Sequence, residues 1–108
     1  MNKSAELAKA VEALQKGDAA ASLRFCDLVL ARAPGDVDAL HLRGLAMYKL
    51  GDQQAAAAAI GEAIRRAPRN AILHGNLGRV WVAAGNMERA AASFANAVSL
   101  APNSASDH

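Results

Sequence analysis

Cysteine occurs once in this sequence, at Cys26, so no internal disulfide can staple the fold, and a lone thiol fits a reducing compartment. Its neighbours Leu23, Leu28 and Val29 are apolar, which reads as a small buried residue in preference to a reactive thiol. Aromatic side chains make up only 4% of the residues, so close packing through Ala and Leu has to replace a core of bulky rings. No apolar run nears the roughly 20 residues of a membrane span, and the opening "MNKSAELAKAVEALQ" has no stretch resembling the apolar core of a secretory leader. The expectation is a cytoplasmic protein without a membrane partner. Asn2-Lys3-Ser4 matches the N-glycosylation pattern, but so short a match is common by chance and nothing else points to secretion.

An excess of one charge is missing as well. Twelve Lys and Arg against ten Asp and Glu leave a formal net charge of +2, interspersed along the chain, which argues against a nucleic-acid partner. There is no GxGxxG, Walker or HExxH pattern, no pair of cysteines, and no nucleophile set beside a base. His41 and His74 occupy successive first helices and could come near each other, yet two histidines without a third ligand make a weak metal case, and His108 is terminal. The sequence points away from an enzyme, a cofactor and a bound metal.

What the chain does have is a period. Residues 17–34 read "GDAAASLRFCDLVLARAP", residues 51–68 "GDQQAAAAAIGEAIRRAP" and residues 85–102 "GNMERAAASFANAVSLAP". Gly17, Gly51 and Gly85 are 34 residues apart, as are Pro34, Pro68 and Pro102, and Gly44 and Gly78 keep the same interval. A fixed period of roughly 20–50 residues is the signature of a stacked repeat array. The expectation is a single domain over 1–108, with repeats at about 3–34, 35–68 and 69–102 and a polar tail at 103–108.

Each unit reads as helix, tight turn, helix, stop. In "DVDALHLRGLAMYKL" (36–50), Leu40, Gly44, Met47 and Tyr48 recur at helical spacing. Gly51 follows, where a helix C-terminus favours a residue tolerant of positive φ, and Asp52 is placed to cap the next helix. That second helix runs to about Arg66, with Ala56, Ile60, Ala63 and Ile64 on one face and Arg65 and Arg66 in the last turn, where cations suit the helix dipole. Pro68 cannot continue it and disfavours α geometry at Ala67. Ala56 and Ala63 recur as Ala90 and Ala97 and as Ser22 and Val29; Gly44 and Gly78 correspond to Ala10. Small residues there let two helices approach closely, while Ala57 and Ala58 fall on the outward side.

These features resemble the tetratricopeptide repeat, the 34-residue helix–turn–helix module, over nearly the whole chain. The bulky residue early in the first helix is Leu40 in the second unit and His74 in the third; the Leu-Gly pair is Leu77-Gly78, with Arg43-Gly44 before it; the aromatic position holds Trp81, and Met47 beside Tyr48. The small residues of the second helix are Ala56 and Ala90, its large apolar ones Ile60 and Phe94. The first unit departs most, with Glu6 and Lys9 where Trp and Leu are expected, which reads as an exposed, capping-like first helix that keeps an apolar stripe of Leu7, Val11 and Leu14. The resemblance implies an all-α fold, a right-handed α-solenoid of three helix pairs and six helices.

It also implies a site. In such arrays the first helix of each pair lines an inner, concave surface. The residues pointing into it here are Leu7, Val11 and Leu14 from the first unit, His41, Leu42, Leu45, Tyr48 and Lys49 from the second, and Asn76, Arg79, Val82 and Ala83 from the third. The set is apolar at its centre, with Lys49 and Arg79 adding positive charge, and would suit an amphipathic helix or an extended peptide of some acidic character. The expected function is a non-catalytic protein-binding adaptor. The carboxylate clamp that grips chaperone tails would need Lys, Asn and Arg where this chain has Leu7, Val11, Leu42, Ile72 and Asn76, so that mode is not expected; of the asparagine ladder in sugar-transferring enzymes only Asn76 matches. The wording "LHGNLGRVWVAAGNMERAAASF" is nevertheless similar to bacterial arrays that precede transferase domains, so an accessory segment of a larger enzyme such as a transferase is one alternative. Another is a homo-oligomerising module, because the last helix is followed only by "NSASDH", leaving Ala91, Phe94, Ala95 and Val98 as an open self-association face.

Overall fold

The computed structural model describes residues 3–100, so the expectations for Asn2, Pro102, His108 and the tail 103–108 lie outside the described residues. Six helices follow one another: α1 (Lys3–Gln15), α2 (Ala19–Arg32), α3 (Val37–Lys49), α4 (Gln53–Arg66), α5 (Ala71–Ala83) and α6 (Met87–Leu100). The described residues contain no strand. Each helix packs on its successor, and the first helices α1, α3 and α5 also touch in succession. The result is an all-α solenoid of three helix hairpins.

The chain turns where the repeated Gly-Asp/Asn stands. Gly17, Gly51 and Gly85 are the described residues with positive φ, at 86°, 89° and 83°. At each turn two amides fold back on the finished helix: Gly51 N–H donates to the Tyr48 carbonyl over 3.1 Å and Asp52 N–H to that of Met47 over 3.0 Å. This closure satisfies carbonyls that the helix leaves free, and it requires the left-handed residue that glycine supplies without strain. The next residue then starts the following helix. Asp18 Oδ1 accepts from Ala21 N–H at 3.0 Å, Asp52 Oδ1 from Ala55 N–H at 3.1 Å and Asn86 Oδ1 from Arg89 N–H at 3.1 Å. Asp36 and Asn70 cap α3 and α5 in the same way. Before Pro34 and Pro68 the backbone leaves the helix, with φ and ψ of −139° and 79° at Ala33 and −136° and 68° at Ala67.

The core is built from small and medium side chains. Ala56, Ile60 and Ala63 of α4 meet Leu40 of α3 and Leu73 and Val80 of α5 in one buried cluster. Ala10, Cys26, Ala39 and Ala46 are fully buried, and Ser22, Ala56 and Ala90 are buried at equivalent places in the three second helices. Two expectations need correcting. Ala57 does not face outward: it is half-buried against the α4–α5 core, because α5 lies over that side of α4, and only Ala58 of the pair is exposed. The first helix is not simply an exposed cap either. Glu6 is buried at 3% exposure, and its carboxylate is ion-paired with Arg32 at the end of α2, while Lys9 stays exposed with its ammonium 5.9 Å from the Phe25 ring centroid. Glu6 stands one period before Leu40, so a charged residue occupies a core position and is compensated by a cation from its partner helix.

Candidate functional site

Because α1, α3 and α5 lie side by side, residues from all three converge on one face. Leu14, Leu45, Tyr48, Lys49, Asn76 and Arg79 line a hollow of about 230 Å³, together with Val80. Its wall is apolar where Leu14, Leu45, Tyr48 and Val80 meet. Its cations, Lys49 and Arg79, are exposed, and among the described residues no carboxylate lines it. A second, more open hollow lies on α1 and the first half of α3, lined by Leu7, Val11, His41 and Leu42 with Lys3, Ser4, Ala8 and Asp38. The residues expected to line one groove are thus divided between two hollows. Val82 lines neither of them and is 43% exposed; Ala83 is exposed beside it.

His41 and Asn76 tie the middle of this face together. Asn76 Nδ2–H donates to His41 Nε2 over 2.7 Å, and Arg79 Nη1–H donates to Asn76 Oδ1 over 3.4 Å. Arg79 takes the amide oxygen and leaves the amide NH₂ for the imidazole, which therefore accepts at Nε2. Burial holds the His41 imidazole below its ordinary pKa, only partly opposed by the nearby Asp38 carboxylate. His74 does not share these partners: its Nε2–H donates to the Pro68 carbonyl over 2.9 Å. Among the described residues no group of three His, Cys, Asp or Glu side chains is arranged to hold a metal ion.

At the mouth of the second hollow, Lys3 Nζ lies 2.6 Å from Asp36 Oδ2, joining the start of α1 to the cap of α3. Arg43 of α3 is ion-paired with Asp27 of α2. Sequence reasoning missed Val80, a buried core residue of α5 that also lines the first hollow. It also missed Asp38 and Lys3, which belong to helix starts and carry no periodic signal. The residues set apart as a self-association face, Ala91, Phe94, Ala95 and Val98, are all exposed on α6, although the Phe94 ring also rests on Gly78.

No described helix is long and apolar enough to cross a membrane. The sequence profile of the family described as tetratricopeptide repeat matches residues 41–105, more than half of the chain. A mutant of the O-GlcNAc transferase of Thermobaculum terrenum contains a region similar to this chain, with a TM-score of 0.89 and 40% identity over 94% of the chain. The match covers only 19% of the transferase. MamA from Desulfovibrio magneticus RS-1, residues 41 to the end, is similar with a TM-score of 0.86 and 25% identity over 96% of this chain and 58% of its own. Another MamA crystal structure, at 20% identity and a TM-score of 0.87 over 94% of this chain and 60% of its own, shares the fold. A search of curated protein sequences gave no match.

Proposed function

The chain belongs to the tetratricopeptide-repeat family, whose fold typically serves as a non-catalytic interaction module, and from that premise we propose that it is an adaptor holding a peptide or helix against its three first helices. One observation carries this reading. Leu14, Leu45, Tyr48, Lys49, Asn76 and Arg79, drawn from three helices far apart in sequence, meet around one hollow with an apolar wall and two exposed cations. Such a site takes an apolar side chain into the hollow and a carboxylate at Lys49 and Arg79. The peptide's ordering cost is offset by burying the apolar anchor, and the charges set its orientation. Panning a random peptide library on the immobilised protein tests this. The reading expects enrichment of sequences with an apolar residue close to Asp or Glu, and loss of that enrichment on the Lys49→Glu, Arg79→Glu double variant. Sequences without acidic residues, or the same sequences on both proteins, would contradict it.

A second reading rests on the 40% identity to a segment of an O-GlcNAc transferase. In it the chain is an accessory array, and the catalytic part lies outside this sequence. The same hollow then docks a substrate protein or a neighbouring domain. Reading the full gene around these 108 codons decides it.

A further inference from the structure

His41 sits where the two hollows on the face of α1, α3 and α5 meet. It lines the second hollow beside Leu7, Val11 and Leu42, and its Nε2 accepts from the amide of Asn76, which lines the first. Asn76 Oδ1 in turn accepts from Arg79, a cation of that first hollow. One imidazole on α3 is thus joined, through a single amide on α5, to a charged group of the peptide site. The arrangement is not a product of the repeat. The positions equivalent to His41 hold Leu7 and Gly75, and those equivalent to Asn76 hold Ala8 and Leu42.

An amide has one donor end and one acceptor end. While the neutral imidazole accepts at Nε2, Asn76 gives its NH₂ to His41 and its oxygen to Arg79. A second proton on the ring turns Nε2 into a donor, and two donors 2.7 Å apart repel. Turning the Asn76 amide over restores a bond, with Oδ1 now accepting from His41. It also presents NH₂ to Arg79, and a guanidinium, which accepts nothing, has to leave. Burial favours the neutral ring and the Asp38 carboxylate only partly offsets this. The other charged groups around it come from every neighbouring helix. Lys3 of α1 lines the same hollow and is paired with Asp36 at the start of α3. Asp27 of α2 is paired with Arg43 of α3, Glu62 of α4 with Arg65 and Arg66, and α5 supplies Arg79 itself.

We propose that His41 is a positioning residue of the peptide site: through Asn76 it sets whether Arg79 is tied to the surface or released to meet a ligand carboxylate, so that the site holds acidic segments more tightly when the imidazole is protonated. This rests on the reading that the first hollow takes an acidic peptide. A released Arg79 stands with Lys49 at the hollow, and both can then turn to one carboxylate. By linkage, a bound carboxylate makes the imidazole easier to protonate by the same factor. Acidification through the titration of His41 therefore strengthens binding, and binding shifts that titration upward.

The test has a ligand-free arm and a binding arm. Without ligand, ¹⁵N spectra recorded from pH 5 to pH 8 follow the His41 ring, the Asn76 side-chain amide and Arg79 Nε–H. All three are expected to shift with one midpoint. In His41→Gln, whose amide satisfies Asn76 without titrating, the Asn76 and Arg79 shifts are expected to vanish. In the binding arm, the affinity for an acidic peptide selected by panning is expected to rise about fivefold or more from pH 7.5 to pH 5.5. Peptide Asp and Glu stay largely ionised over that range. The rise is expected to be lost in His41→Gln and in Asn76→Ala, and kept in His74→Gln. Asn76 and Arg79 signals that do not follow the His41 ring would overturn the proposal, as would a rise that persists in His41→Gln or in Asn76→Ala. Failure of every acidic peptide to bind at either pH would contradict the peptide-site reading instead, and the ligand-free arm still decides whether His41 governs Arg79.

Discussion

Gly44 and Ile60 touch so closely that no Cβ fits between them. A methyl group at Gly44 would stand 3.0 Å from Ile60 Cδ1, closer still to Cγ1, and 3.2 Å from the Ala56 carbonyl oxygen. One period later a Cβ at Gly78 would lie 2.6 Å from Phe94 Cε1. The two contacts look alike but differ in what can yield. Ile60 is fully buried and its neighbour in the contact is backbone, whereas Phe94 is 38% exposed and its ring can swing into solvent. Replacing a mid-helix Gly by Ala gains about 0.5–1 kcal/mol, and overpacking a filled core costs about 1–3 kcal/mol. Gly44→Ala is therefore expected to destabilise by about 1 kcal/mol or more, and Gly78→Ala to be near neutral. Urea unfolding of the two variants checks the order.

Glu6 and Arg32 give a second expectation. The Glu6 carboxylate is buried, its Oε2 has no hydrogen-bond partner among the described residues, and Arg32 is 44% exposed. Removing the cation alone leaves a buried charge uncompensated. A fully buried pair broken in this way loses about 3–5 kcal/mol, and the exposure of Arg32 reduces that to about 1–3 kcal/mol for Arg32→Ala. Glu6→Leu, which installs the residue found at Leu40, is expected to be neutral or stabilising. Thermal unfolding of both variants distinguishes a structural ion pair from an incidental one; equal losses would contradict this account.

How much of this was legible beforehand depends on what kind of signal each residue carries. The turns were readable because Gly51 and Asp52 answer local backbone demands that any following helix imposes. The close approach of α3 and α4 was readable because only a small residue at Gly44 admits Ile60. The site was partly readable: helical spacing puts Leu45 and Tyr48 on the same side as Asn76 and Arg79. It could not show that the face divides into two hollows, which depends on how each helix tilts on its neighbour. Glu6 was misread for a related reason. A carboxylate at a core position signals exposure until its cation is found, and Arg32 lies 26 residues away on another helix.

His41 predicts a pH dependence. Its folded pKa lies below the ordinary 6.5, so between those two values the unfolded chain binds more protons than the folded one. Stability therefore rises with pH across that window and falls as the solution is acidified through it. His41→Leu is expected to flatten this part of the profile. Urea midpoints from pH 5 to pH 8 check it, and an unchanged slope in the variant would assign the dependence elsewhere.

Cys26 is expected to be slow to react. Burial, and then the charge of Asp27, push its thiol up to about 11, so little thiolate forms at neutral pH. Alkylation by iodoacetamide is expected to proceed only with unfolding, and its rate to follow urea concentration. Rapid labelling of the folded protein would show that α2 opens without global unfolding.

The most direct measurement of the central claim is an amide chemical-shift titration of the ¹⁵N-labelled protein with an acidic peptide selected by panning. The account predicts that the largest shifts fall at Leu14, Leu45, Tyr48, Lys49, Asn76 and Arg79, and that they vanish in Lys49→Glu, Arg79→Glu. Shifts concentrated instead at Ala91, Phe94 and Val98 would place peptide binding at the end of the stack and contradict it.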